Sequence, residues 1–199
     1  MPRTMLTDQH WLKLKSIVHN FGIYLKHNLR NFIEAILYRI RTGCPWRDLP
    51  EVFGKPNSIF KKFTRWCKDS KLLKIFKLLS SRADLEWVFI DASHVRAHQH
   101  ATGIKDQAIS KSVGGNSSKI HLAVDANGNP IEFIIGDGTT HDVKVAPDLI
   151  DCLDFKETEI LCADKGYDSA PLRKKIENTS KICKFFLISS FFFGEFVLK

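Results

Sequence analysis

No stretch of this sequence approaches the roughly 18 consecutive apolar residues that a membrane-spanning helix needs, so no membrane association is expected. Its first residues, MPRTMLTDQHW, lack the apolar core of a secretory signal. A C-x-x-C pair is also missing. The five cysteines (Cys44, Cys67, Cys152, Cys162 and Cys183) are odd in number and irregularly spaced. That argues against a zinc ribbon or a disulfide framework and fits a reducing cytosol. Acidic residues are scarce in one half only. Residues 1–86 hold 17 Lys and Arg against 7 Asp and Glu, whereas residues 87–199 hold 13 against 15. The net charge of +8 is therefore concentrated at the front. A basic first half suits a polyanionic partner, and the alternative is a solvated basic surface with none. With 44% apolar residues, 199 residues can build a packed core, as one domain or as one domain with a small helical companion.

Residues 5–86 read as helical. LTDQHWLKLKSIVHNF offers Thr7 as an N-cap, with Trp11, Leu14 and Val18 at helical spacing. In NLRNFIEAILYRIRTG, Asn28 is the expected cap, Phe32, Ile33, Ile36, Leu37 and Ile40 line one face, and Gly43 stops the helix. CPWRDLPEVFGKP is a loop broken by three prolines and a glycine. A further helix is expected to start near Asn57 or Ser58. Its apolar stripe is Ile59, Phe60, Phe63, Trp66 and Cys67, and its other face carries Lys61, Lys62, Arg65 and Lys68. SKLLKIFKLLSS continues as an amphipathic helix. Short helices with a basic one late in the set fit a helix-turn-helix arrangement, and a plain helical bundle fits the pattern as well.

From residue 87 the texture changes. WVFIDAS reads as a strand, and SSKIHLAVDANGNPIEFIIGDG as a hairpin turning at Asn127-Gly128. HDVKVAPDLIDCLDF looks helical, TEILCADKGYDS is a strand ending in a loop, and SAPLRKKIENT opens a helix capped by Ser169 with Pro171 in its first turn. Residues 99–117, rich in Gly, Ser, Lys and Gln, are expected to form a loop. The order predicts a mixed α/β sheet with functional residues at strand ends. Two strands end alike, VFID at Asp91 and ILCAD at Asp164. If they are parallel neighbours, both carboxylates emerge at one edge and make an oxygen-rich pocket for Mg2+ or Mn2+, of the kind that serves phosphoryl transfer. The alternative is that each aspartate caps the segment after it.

These stretches, taken in order, resemble the bacterial insertion-sequence transposases of the DDE class, in the group around insertion sequences five and four. The first half carries RTGCPWRDLP and FGKPNSIFKKFTRWCKD. The second carries FIDASHVRAHQHATG, GGNSSKIHLAVDANGNPIEFIIGDGTTHDVKVAPDLI and ADKGYDS. The resemblance implies an RNase H-like mixed α/β sheet domain over residues 87–180, incomplete at its C-terminus. It also implies a small all-helical, helix-turn-helix-like DNA-binding domain over 1–86, which leaves an aberrant Phe-rich tail over 181–199. It implies Asp91 and Asp164 as catalytic acids that hold Mg2+ or Mn2+ for DNA strand cleavage and joining. The implied partner is double-stranded DNA, at element ends and target, with a homo-oligomer when full length and a bacterial cytoplasmic, nucleoid-associated setting.

The third acid of the family, a glutamate several tens of residues later on a Tyr-Arg-Glu-Lys helix, finds no match. The resemblance stops near Glu177-Asn178, and TSKICKFFLISSFFFGEFVLK follows, as after a change of reading frame. Glu177 lies too close to Asp164, and nothing around Glu195 fits. The expectation is a transposase made inactive by the missing acid, with a non-catalytic DNA-binding remnant or regulator of transposition as the alternative. KICKFFLIS has the composition of a buried strand, which would add to the sheet, or else of an exposed sticky segment.

Other residues carry weaker expectations. Arg39, Arg41, Lys61, Lys62, Arg65 and Lys68 are candidate phosphate contacts, which position DNA without reading sequence. Trp46 and Arg47 are set to insert near DNA, unless Trp46 anchors the core. His94 and Arg96 are candidate DNA contacts near the scissile phosphate, as are Lys165 and Tyr167 beside Asp164. His94, His98 and His100 offer a zinc hydrolase as a distant alternative. Asp142 is expected to cap a helix, and Asp125 to form a turn.

Overall fold

The computed structural model describes residues 4–20, 28–81, 83–97, 108–112, 115–178 and 182–186. The chain divides into two units, Met1–Leu78 and Leu79–Lys199.

The first unit is helical. Helix α1 (Asp8–Asn20) starts where Thr7 Oγ1 accepts the His10 N–H at 3.2 Å. Helix α2 (Leu29–Thr42) begins after Asn28, but the Asn28 side chain makes no capping bond, unlike the expectation. The helix ends at Gly43, whose φ of 68° lets its N–H turn back to Arg39 O at 2.8 Å. Helix α3 (Pro56–Lys68) starts slightly earlier than expected because Pro56 needs no donor in the first turn. A two-residue turn through Ser70, at φ 53°, leads to α4 (Lys71–Ser80).

An aromatic core joins these helices. Phe32 and Trp66 meet edge to face at 5.0 Å, among Leu29, Ala35, Ile36, Phe53, Ile59 and Ile75. Trp46, on the loop after α2, stacks near Phe63 and Phe60 at 4.9 and 5.5 Å, so it anchors this core. Sequence reading did not single out Glu34. Its carboxylate is buried and accepts the N–H groups of Met5 and Leu6 at 2.7 and 3.0 Å, which ties the first described segment to α2.

The second unit is a mixed sheet with two helices. Its strands are β1 (Trp87–Arg96), β2 (Ser110–Ser112), β3 (Gly115–Val124), β4 (Pro130–Asp137), β5 (Ile160–Asp164) and β6 (Ile182–Phe186). Strand β1 lies between β3, antiparallel, and β5, parallel. β4 pairs antiparallel with β3 on one side, and β6 parallel with β5 on the other. The resulting order β4-β3-β1-β5-β6, with three antiparallel strands and two more parallel to the first, is the RNase H-like arrangement. β2 is a short addition to β3. It lies with the start of β3 inside the stretch read as a loop, so part of that expectation fails; backbone pairing overrides the polar composition there. Of the two readings for KICKFFLIS, the strand is the one found: Ile182–Phe186 pairs with β5 from Ile160↔Ile182 to Asp164↔Phe186.

Helices α5 (Asp142–Asp151) and α6 (Ala170–Glu177) cover the sheet. Val88 and Ile90 of β1, Leu161 and Ala163 of β5, and Ala123 of β3 alternate into a core with Leu149, Ile150, Leu172 and Ile176. Ser169 Oγ caps α6 by accepting from Leu172 N at 3.3 Å. Among the described residues no helix is long and apolar enough to cross a membrane.

Asp125 forms the expected turn and does more. It is 1% exposed, and its carboxylate accepts from Asn127 N, Asn129 N, Asn129 Nδ2 and Asp84 N at 2.7–3.2 Å. The β3–β4 turn, with Gly128 at φ 78°, and the chain entering β1 are thus held by one side chain. Asp125→Ala would leave these donors unsatisfied. It should cost about 3 kcal/mol in urea unfolding, with Asp125→Asn milder.

Candidate active site

Register decides where the two aspartates go. β1 and β5 run parallel with Trp87 opposite Ile160 and Ile90 opposite Ala163. The next step puts Asp91 beside Asp164 on the same face, on strands about 4.8 Å apart. There β5 ends and turns away through a single 3-10 turn, Lys165–Tyr167, while β1 continues with β3 alone. Both acids therefore stand where the parallel pairing stops. Each accepts the N–H of the next residue at 2.7 Å, Asp91 Oδ1 from Ala92 and Asp164 Oδ1 from Lys165. Burial pushes the Asp91 carboxyl above the ordinary carboxylate range. The negative charges of Asp164 and Asp142 add to that, while the Ala92 N–H and Lys119 oppose it.

Asp142 does not cap α5. The N-cap position is His141, and Asp142 is the first helical residue. Its carboxylate turns to β3, where Lys119 Nζ meets Oδ1 at 2.6 Å and His121 Nδ1 lies at 3.5 Å. A partly buried lysine is a stronger partner than the helix's own N–H groups, which explains the difference from expectation. His121 is fully buried and shares a 3.0 Å hydrogen bond with the Tyr167 hydroxyl. Burial holds the His121 imidazole below its usual range and pushes the Tyr167 hydroxyl up. Gly166 sits between Asp142 and Asp164. A β-carbon there would stand 3.2 Å from Asp142 Oδ2 and 3.8 Å from Asp164 Oδ2. The absent side chain leaves room between two carboxylates.

The turn before α5 is set by Asp137. Its Oδ1 accepts from Thr139 N at 2.9 Å, Thr139 Oγ1 at 2.7 Å and Thr140 N at 2.9 Å. These bonds hold its carboxyl down at about 2.

The remaining candidates separate. His94 and Arg96 are exposed on β1, and His94 stands across the sheet from Lys119, the partner of Asp142. His94 lies in a strand. His98 and His100 lie outside the described residues. Among the described residues no three His, Cys, Asp or Glu side chains converge to close on a metal ion by themselves. Lys165 is exposed beside Asp164, whereas Tyr167 is 1% exposed and faces inward, away from any phosphate. Glu177 is the last residue of α6, about 10 Å along the helix from its start.

In the helical unit Arg41, Arg47, Lys61, Arg65 and Lys68 are exposed. Two of the expected contacts are drawn inward. The Arg39 guanidinium lies 4.4 Å from the Trp46 ring, and Lys62 Nζ lies 4.2 Å from the Phe32 ring and 5.7 Å from Trp66. Cation–π attraction places Lys62 over the core instead of on the open basic face. The spacing of α3 separates it from Lys61: Lys62 follows Ile59 by three positions and precedes Trp66 by four, beside the buried stripe.

Comparison with known proteins gives two family matches. Residues 6–76 match the family described as "Putative transposase of IS4/5 family". Residues 82–188, more than half of the chain, match "Transposase DDE domain". The second match extends through β6. A protein of Sinorhizobium fredii, described as "Uncharacterized protein y4sN", is 34% identical over 125 residues, which is 61% of this chain and 95% of that protein. Among solved structures, the Mos1 transposase paired-end complex with left transposon end is 11% identical. It aligns with 95% of this chain and 70% of its own at a TM-score of 0.34. The Mos1 strand transfer complex is 11% identical, with 93% and 68% covered and the same TM-score. Likenesses this low do not define the fold, which rests on the strand order.

The turn that delivers Asp142 should be acid-sensitive. Because the folded state lowers the Asp137 carboxyl, its contribution is complete above the unfolded value, about 4, and is lost as the pH falls toward about 2. Asp137→Ala should melt below wild type at pH 7, with the gap closing between about pH 4 and pH 2 in thermal scans followed by circular dichroism.

Proposed function

Because the chain belongs to the family of transposases with a DDE domain, we propose that it acts on DNA as an insertion-sequence transposase whose Asp91 and Asp164 hold Mg2+ or Mn2+. The observation that carries this reading is the β1–β5 register, which sets the two carboxylates side by side where their pairing ends. The residues present fit such an ion. Carboxylate oxygens are the donors that hard divalent cations prefer, and the missing β-carbon of Gly166 leaves space beside Asp164. When bound, the ion would activate the attacking oxygen of a phosphodiester exchange and stabilise the leaving one. Asp91 and Asp164 fix its place. The backbone N–H groups of Ala92 and Lys165 orient the two acids. Lys165, exposed next to Asp164, is positioned to hold a DNA phosphate.

The helical unit supplies the grip on double-stranded DNA at element ends and target. Arg41, Arg47, Lys61, Arg65 and Lys68 are its exposed phosphate contacts, in a helix-turn-helix-like unit. Arg39 and Lys62 brace the aromatic core from which the others project. His94 and Arg96, exposed on β1, are further DNA contacts. The setting is the bacterial cytoplasm, at the nucleoid, with a second copy of the full-length protein as partner.

Strand cleavage is absent or very slow in this reading. The chain offers no residue matching the third family acid, and Glu177 lies at the far end of α6. Losing one member of a concerted set costs several orders of magnitude in rate. A DNA-binding protein without cleavage, or a regulator of transposition, is the corresponding role.

Supercoiled plasmid incubated with the full chain and Mn2+ should remain uncut. Mn2+-dependent nicking that Asp91→Ala abolishes would overturn the claim of inactivity. In gel-shift titrations, affinity for duplex DNA should fall steeply with salt. Arg65→Ala and Lys68→Ala should each reduce the log–log salt slope by about 1. A flat salt dependence would count against the basic helices as the DNA grip.

A further inference from the structure

We propose that Asp142 is a positioning residue of the same cation site: its Oδ2 holds the hydration shell of the ion, while Lys119 restrains its Oδ1. This rests on the reading of Asp91 and Asp164 as the ion's direct ligands.

Three separate elements bring the parts together. Asp142 opens α5, Lys119 and His121 stand on β3, and Gly166 lies in the turn after β5. The two oxygens of Asp142 face different groups. Oδ1 meets Lys119 Nζ at 2.6 Å, and Oδ2 lies beside the Gly166 gap that it shares with Asp164 Oδ2. Lys119 is 12% exposed at its side chain, so the pair is shielded and keeps the Asp142 carboxylate oriented. His121, braced by Tyr167, closes the same side.

The role is indirect because no three donors close on one point among the described residues. That geometry suits Mg2+, which keeps several waters and takes one or two protein carboxylates directly. A further carboxylate then acts through a water, and such outer partners commonly change metal affinity 10- to 100-fold.

Mn2+ titration of the full chain by isothermal calorimetry tests this. Asp142→Asn, folded by circular dichroism, should bind Mn2+ about 10-fold more weakly than wild type. A purely structural role would lower the melting temperature and leave the Mn2+ affinity of the folded protein unchanged. Wild-type affinity in Asp142→Asn overturns the inference. If that variant does not fold, Gly166→Ala decides instead: its β-carbon would enter the gap and should weaken Mn2+ binding, and unchanged affinity overturns the inference. Asp91→Asn separates the two levels. Loss of Mn2+ binding there with normal binding in Asp142→Asn removes only the role of Asp142. Normal binding in Asp91→Asn, or none in wild type, removes the metal reading itself and this inference with it.

Discussion

The parallel pairing of β1 with β5 is the constraint on which the candidate site depends. Side chains alternate along a strand with a period of two. A one-residue slip would therefore send Asp91 or Asp164 to the opposite face and part the two carboxylates. The slip is resisted by Val88, Ile90, Leu161 and Ala163, which face the helices and would become solvent-facing together. The apolar residues of VFID and ILCAD thus do two things. They bury the sheet, and the register they hold keeps the two acids side by side where the parallel pairing ends.

Concentrating carboxylates at one edge opposes folding, and the surroundings offset it. Asp91 is half-buried and held above the ordinary carboxylate range, a sign of strain between its charge and its setting. Ala92 and Lys165 N–H groups, and the Lys119 ammonium on Asp142, supply the positive ends. A divalent cation would relieve what remains.

The helical unit uses its cations in two ways. Arg39 and Lys62 cover aromatic rings, where their stems and charges pack against Trp46, Phe32 and Trp66. Arg41, Arg47, Lys61, Arg65 and Lys68 remain in solvent. Only the second group suits a salt-dependent grip on phosphate. The excess of positive charge was legible in composition, and helical spacing already set Lys62 beside Ile59 and Trp66 of the buried stripe.

The order of helices and strands, the Gly43 stop, the Ser169 cap, the Asp125 turn and the two strand-end acids could all be read from local pattern, because each depends on neighbours within a few residues. The resemblance to DDE transposases rested on the same local stretches. What folding alone decided was non-local. Asp142 looked like a helix cap until Lys119, 23 positions earlier in the chain, reached it across β3. Tyr167 looked like a phosphate contact until His121 drew its hydroxyl inward. Within KICKFFLIS, Ile182–Phe186 carried no sign of its partner and became a strand by pairing with β5. Spacing along the chain specifies which groups can form an element. Only the packing of elements settles which charges meet, because the strongest available partner can lie far away in sequence.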